Sequence, residues 1–549
     1  MSKRRLSSPP LPPAKRLHGC EDDSDTRPGL NETAHLALSS LLYDELILYI
    51  FSHLSWVDLC AVQATSRNWS RLATDNGLWR NLYLTTFGRP RLRGGRGFVG
   101  QSNFGRDVKP LPARSDGDEV KDWKWMFRIS SNWRKGRCTV ERLHSSALEA
   151  AQAIDQIHVV LAGPLVLSAS SRPCSSPWIC LSGVGDLCHK LHCPTNGPGL
   201  HHIVALAQDQ SCQTSENAKV AAFLHNGSFS IFHIEYSNPA LSYLQSTHIS
   251  TRRSWRPSSI SQAVFHHPIL ITLSNTFSLS IYDLSSGSIR HSQTLASYTS
   301  YPPTSLVLSA PTPETYKLVL TYSVPVYPHH WSIGVTELVI SSSCASTSAL
   351  SSHRLVVPPM SVVSTRTIRA VDIPQGWMDE NKLRAMQEQW SRKVSQVADT
   401  QSDGKWVILA PEDPASPAMT PPDPLAINLG MPKIYSPVSM QLYRLSLPSV
   451  SPSISASRPK LSFVRNLQGQ AAPISMLAVA DGRCVSLGTD GSIWVWDLEN
   501  GASTEVHSLD SKTAGAADSS RLIKGTVTFD ERRIVTARGN DIIIRRFDV

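Results

Sequence analysis

The sequence predicts a multi-domain chain in which a small all-α region is followed by an all-β propeller of about seven or eight blades. Two observations predict this. Residues 38–84 read as several short amphipathic helices, too small to enclose a core of their own. From Cys138 onward the texture changes to short β-rich runs punctuated by Gly, Asn, Asp and Ser, with a recurring strand–turn–strand theme.

The chain has 549 residues, more than one average domain of roughly 150, although a propeller places several hundred residues in one closed architecture. A hydrophobic content of 41% suffices for a large core, and 37 prolines with many serines predict abundant loops. No run approaches the roughly 18 apolar residues that cross a bilayer, and the N-terminus MSKRRLSSPPLPPAKRL lacks the apolar centre of a secretory signal. An intracellular protein is expected, its 10 cysteines mostly reduced thiols. The net charge of +9 is local rather than global, because residues 89–137 carry 13 Lys/Arg against 5 Asp/Glu. A nucleic-acid groove binder would more often spread such charge over a folded face.

Taken in order, residues 1–37 read as a disordered tail, basic and proline-rich, then acidic. Lys3, Arg4 and Arg5, with Lys15 and Arg16 further on, resemble a two-part nuclear import signal, so nucleus, cytoplasm or both are expected. In 38–84, a first helix over about 43–53 puts Leu42, Leu46, Ile50 and Leu54 on one face. Ser55 offers an N-cap to a second segment over 56–63 that includes Leu59 and Val62. A third, 66–74, carries Trp69 and Leu72, and a fourth begins at Leu78 and Trp79.

The order LxxELxLxIFxxLxxxDLxxVxxxSRxWxxLAxDxxLWRxL is similar to the F-box motif over nearly all of 38–84. It departs at Tyr43, where the family usually has proline. The resemblance implies docking onto the Skp adaptor of a Skp-cullin-F-box ubiquitin ligase, with Leu42, Glu45, Leu46, Ile50, Leu54, Leu59, Val62, Trp69 and Leu72 as the adaptor-binding residues.

Residues 85–137 read as a basic linker and a connecting helix. Gly95, Gly97 and Gly100 satisfy the spacing GxGxxG, but a dinucleotide site needs a preceding strand and a following helix, and neither is expected there. The segment 120–137 regains helical character, with Trp123, Phe127 and Trp133 as packing residues. Ending in NWRKGR, it resembles the connector of F-box proteins with WD repeats.

Residues 138–549 hold the propeller. Four stretches, 220–234, 269–287, 484–501 and 534–548, each run strand, tight polar turn, strand, and weaker pairs lie near 165–181, 317–340 and 406–445. Trp496-Asp497 after GSIWV closely resembles a WD repeat, with Tyr282-Asp283 and Phe547-Asp548 as looser forms; the family's GH dipeptide is missing. At about 40 residues per blade the span is too long for the usual count. Inserted loops are therefore expected in Ser-rich 341–365 and in 378–434, where a helix-like 378–397 precedes a Pro-rich 411–434. Because a ring must close without leaving an edge, Arg137–Leu143 is expected to add a strand to the blade containing 542–547.

Catalytic chemistry finds no support: the chain has no HExxH, no GxSxG, no Walker-type loop and no RING-like cysteine pattern. Cys174, Cys180, Cys188, His189, His192 and Cys193 crowd together without the paired spacing of zinc ligands, and neither metal nor cofactor is expected. Arg252, Arg253 and Arg256, flanking Trp255, form the most concentrated basic-aromatic group of the propeller and are the candidates for gripping a target, phosphorylated targets included. The reading is a non-catalytic substrate receptor of a ubiquitin ligase, acting by proximity. Its alternatives are an interaction scaffold outside ubiquitylation and an RNA-associated propeller using the Arg/Gly-rich linker.

Overall fold

The computed structural model describes residues 42–88, 122–143, 156–183, 188–195, 199–211, 216–250, 259–296, 301–312, 314–326, 329–342, 360–371, 376–412, 439–447, 459–508, 525–539 and 541–549. The chain divides into two compact units, one ending at Leu78 and the other beginning at Trp79.

The first unit is helical: α1 (Asp44–Phe51), α2 (Trp56–Val62), α3 (Arg67–Ala73) and the start of α4 (Asn76–Tyr83). Its helix starts are set by side chains. Ser55 accepts from the amide of Asp58 and Ser66 from that of Trp69, each relieving an amide that has no partner within its own helix. Ile47, Phe51, Leu59, Leu72 and Ala73 are buried, and Phe51 meets Trp69 edge-on at 5.7 Å. The side-chain amide of Gln63 donates to the carbonyl of Ala73 at 3.2 Å, and Arg71 pairs with Asp44, tying α1, α2 and α3 together.

The second unit contains seven antiparallel sheets, so the propeller has seven blades. They span 157–192, 203–248, 260–296, 305–369, 397–467, 474–505 and 526–546. The first strands of successive blades touch one another in a closed ring. The seven strand pairs legible in the sequence are the middle hairpins of these seven blades. Where a hairpin turn needs positive φ, glycine usually supplies it, as at Gly227 (82°) and Gly491 (88°), while blade 3 uses Phe277 (59°).

Closure occurs where it was expected. Arg137–Leu143 lies antiparallel to the third strand of blade 7, with Thr139 opposite Arg546 and Leu143 opposite Ile542. The fourth strand of the last blade thus comes from ahead of blade 1, with His507–Ser508 pairing in parallel on its far side, and the ring cannot open without losing this ladder. The connecting helix α5 (Trp123–Lys135) packs on the same blade: Trp133 stacks on Phe547 and donates to the carbonyl of Glu531 at 2.8 Å, and Arg483 lies over its ring at 4.2 Å. Gly136 ends α5 at φ 64°, where an added Cβ would strike the Glu505 carbonyl.

Buried aspartates link neighbouring blades. Asp403 accepts from the amides of Lys405 and Trp406 in its own turn and from Gly482 of blade 6 at 2.9 Å. Asp209 does the same between blade 2 and His267 of blade 3. Asp530 holds Arg533, whose guanidinium donates to the carbonyls of Gly163, Pro164 and Leu165 in blade 1. In blade 6 the indole of Trp496 donates to Ser486, and Ser486 donates to Gln470 at 2.6 Å.

Two expectations about insertions are corrected. Residues 360–365 belong to the outer strand of blade 4, Met360–Arg369, whose Ser, Thr and Val side chains suit a half-exposed pleated surface. The predicted helical insertion is α6 (Glu380–Ser391), capped by Asp379, but Val397 already begins the first strand of blade 5. Residues 343–359 and 413–438 lie outside the described residues.

Candidate docking surfaces

The helical unit leaves one apolar stripe uncovered. On α1, Leu46 is 51% exposed and Ile50 46%, one turn apart, with Tyr43 and Tyr49 beside them and Trp56 and Val57 exposed at the start of α2. Contiguous apolar exposure of this kind marks a surface that another protein covers. Of the residues carried by the motif, Glu45 is also exposed, and Leu42, Leu54, Val62 and Trp69 are partly buried. Leu59 and Leu72 are buried within the unit and shape the surface from beneath rather than lining it. Tyr49, Trp56 and Val57 are not among the adaptor residues assigned from the sequence, although Tyr49 stands three residues beyond Leu46 and next to Ile50, a spacing that places it at the same edge.

Tyr43 precedes α1 with φ −66° and ψ 150° and makes no side-chain cap. That φ is the value a proline ring imposes. The backbone therefore keeps the geometry of the usual residue without the residue itself.

On the propeller, one face carries the turns of the middle hairpins and the connections between blades. Arg252, Arg253, Trp255 and Arg256, which fall between blades 2 and 3 in the sequence, lie outside the described residues. Ahead of them, the amide of Ser250 donates to Ser228 at 3.4 Å in the hairpin turn of blade 2. The connection between blades 4 and 5 carries α6, preceded by Trp377, which is 88% exposed. Backbone pairing of Val394 with Trp331, and Arg392 over the Phe463 ring at 4.5 Å, fix the end of this connection to the blades.

The cysteine- and histidine-rich stretch of blade 1 has a structural explanation. Cys180 and Cys188 form a disulfide across the hairpin of Trp178–Ser182 and Cys188–His192, while Cys60, Cys138, Cys174, Cys193 and Cys484 are free thiols. His192 bonds Ser176 at 3.0 Å, and burial pushes the Cys193 thiol up to about 12. Among the described residues no three His, Cys, Asp or Glu side chains gather as metal ligands would. The GxGxxG run and the basic clusters at Lys3 to Arg5 and Lys15–Arg16 lie outside the described residues.

Comparison with known proteins agrees with this architecture. Residues 44–85 match the F-box-like family and residues 194–401 match the family described as the F-box protein pof12 beta-propeller. A stretch of 115 residues is 30% identical to an F-box protein of Saccharomyces cerevisiae, covering 19% of this chain and 18% of that protein. Another, of 119 residues, is 26% identical to F-box protein pof12 of Schizosaccharomyces pombe, covering 22% and 23%. The matches thus span less than a quarter of either relative's length. Among solved structures, the WD40 beta propeller domain of Doa1 aligns with 74% of this chain and 97% of its own, at 11% identity and a TM-score of 0.35. The chain is thus a helical module, similar to the F-box-like family over residues 44–85, followed by a seven-bladed β-propeller similar over residues 194–401 to that of F-box protein pof12.

Proposed function

We propose that this protein is the substrate-recognition subunit of a Skp-cullin-F-box E3 ubiquitin ligase. The observation that carries the reading is the exposed stripe of Leu46, Ile50 and Trp56 on a helical unit matched by the F-box-like family. In this reading the stripe docks the Skp adaptor, and the propeller's connection face, including the segment of Arg252, Arg253, Trp255 and Arg256, receives the target protein. The subunit performs no bond chemistry. It contributes proximity and orientation, holding the target's lysines where a conjugating enzyme recruited by the cullin can reach them.

The test is affinity purification of the full chain from cells with proteasome activity blocked. Recovery of the Skp adaptor, cullin and a ubiquitylated target supports the assignment. Recovery of partners without adaptor or cullin favours a scaffold outside ubiquitylation. For localisation, the proposal is nuclear import through Lys3, Arg4, Arg5, Lys15 and Arg16, and alanine at all five would abolish nuclear accumulation of the imaged protein.

A further inference from the structure

Four histidines meet on the connection face where blades 1 and 2 join. His158 stands near the start of the first strand of blade 1, Ile157–Ala162. His201 and His202 lead into the first strand of blade 2, Ile203–Gln208, and His225 follows its second strand, Asn217–Leu224. The rings of His202 and His225 stack at 4.6 Å with planes 8° apart, and His201 lies 5.3 Å from His225. The seam itself runs through this group, because His201 and Cys174 of blade 1 exchange two backbone hydrogen bonds at 2.8 Å. Nδ1 of His201 and Nδ1 of His225 are buried and have no hydrogen-bond partner among the described residues.

We propose that His158, His202 and His225, packed beside His201, form an acid-sensitive latch: while neutral, their rings seat the hairpin turn of blade 2 against the lead-in to its first strand, and protonation drives the two apart. The surroundings favour the neutral form. Burial lowers His158 to about 4, with His202 as the second cause, and lowers His202 and His225, with their histidine neighbours adding to the effect. Among the described residues, the groups acting electrostatically on these three rings are other histidines of the cluster. Across the seam, Cys174 pairs with His201 and has Arg172 and Cys193 acting near it, and neither a neutral thiol nor a guanidinium would stabilise an imidazolium. Blade 7 contributes the neutral Thr526, bonded to the carbonyl of Ile157. Charging two half-buried rings this close costs some desolvation and mutual repulsion.

Linkage gives the sign. The rings of His158, His202 and His225 are proton-poor when the latch is closed and regain the ordinary value near 6.5 when it opens. Acidification below about 6.5 therefore favours opening, by about tenfold per pH unit for each histidine that takes up a proton. The consequence is a rim of blade 2 that loosens ahead of the rest of the ring.

Hydrogen exchange on the full chain tests this, with rates corrected for the intrinsic pH dependence and read at about pH 7.5, 6.5 and 5.5. Protection over 199–204 and 222–230 is expected to fall at least about tenfold between the two lower values, while 484–497 of blade 6 holds steady. A His202→Gln, His225→Gln variant should flatten that dependence. Unchanged protection at the seam, equal loss in every blade, or a folded double variant that keeps the full pH response would each overturn the latch. Should the double variant not fold, the wild-type comparison of blades 2 and 6 decides alone.

Discussion

Trp133 of α5 lies flat on Phe547, ring centroids 4.0 Å apart and planes within 12°, so the helix that precedes the propeller is packed on the last residues of its closing blade. The contact joins positions more than four hundred residues apart at the point where the ring closes. Trp133→Ala should cost about 3–5 kcal/mol of propeller stability, as for other buried aromatics cut to alanine. Trp133→Phe, which keeps the stack but loses the bond to Glu531, should cost clearly less. Urea unfolding midpoints of the two variants check the order.

Asp403 is fully buried, and burial raises its carboxyl above the ordinary aspartate value even though three backbone amides pull the other way. Replacing it with alanine leaves those amides, one of them Gly482 of the next blade, without their acceptor. A loss of about 3 kcal/mol is expected, read as a drop in thermal midpoint. An unchanged midpoint would show that the blade 5 to blade 6 link carries no stability.

Within blade 4, Lys317 and Glu337 are both buried, 3.4 Å apart, with Arg366 at 3.9 Å from the same carboxylate. Removing the carboxylate by Glu337→Leu strands a buried ammonium and should cost about 3–5 kcal/mol. The double change Lys317→Met with Glu337→Leu should recover most of that loss, since both desolvation penalties vanish with the charges. A double-mutant cycle gives the coupling.

The propeller was legible because each middle hairpin joins two apolar strands through a polar turn, a pattern that survives when repeat motifs decay. Its closing strand was legible from the need to leave no edge. Blade boundaries were not legible, because the GH dipeptide is missing from the sequence. The helical unit was harder. In DELILYIF nearly every position after Glu45 is apolar, so periodicity shows that a face exists without showing which one turns inward. Ile47 and Phe51 fill the core, and Leu46 and Ile50 are left outside. The outer strand of blade 4 was hidden by its serines, which read as loop when cross-strand partners are unknown.

Tyr43 already holds the φ of a proline. Tyr43→Pro should therefore stabilise the helical unit by about 0.4–1 kcal/mol, chiefly by restricting the unfolded chain. Thermal unfolding of the helical signal checks it. Destabilisation would mean that the tyrosine side chain or its amide does work that the ring cannot replace.

Direct titration of purified full-length protein with the Skp adaptor tests the proposed docking on the exposed stripe of α1. The account predicts that Leu46→Asp with Ile50→Asp weakens binding by at least about a hundredfold, roughly 2.7 kcal/mol, while circular dichroism of the propeller is unchanged. Wild-type affinity in the double variant, with the fold intact, would contradict it.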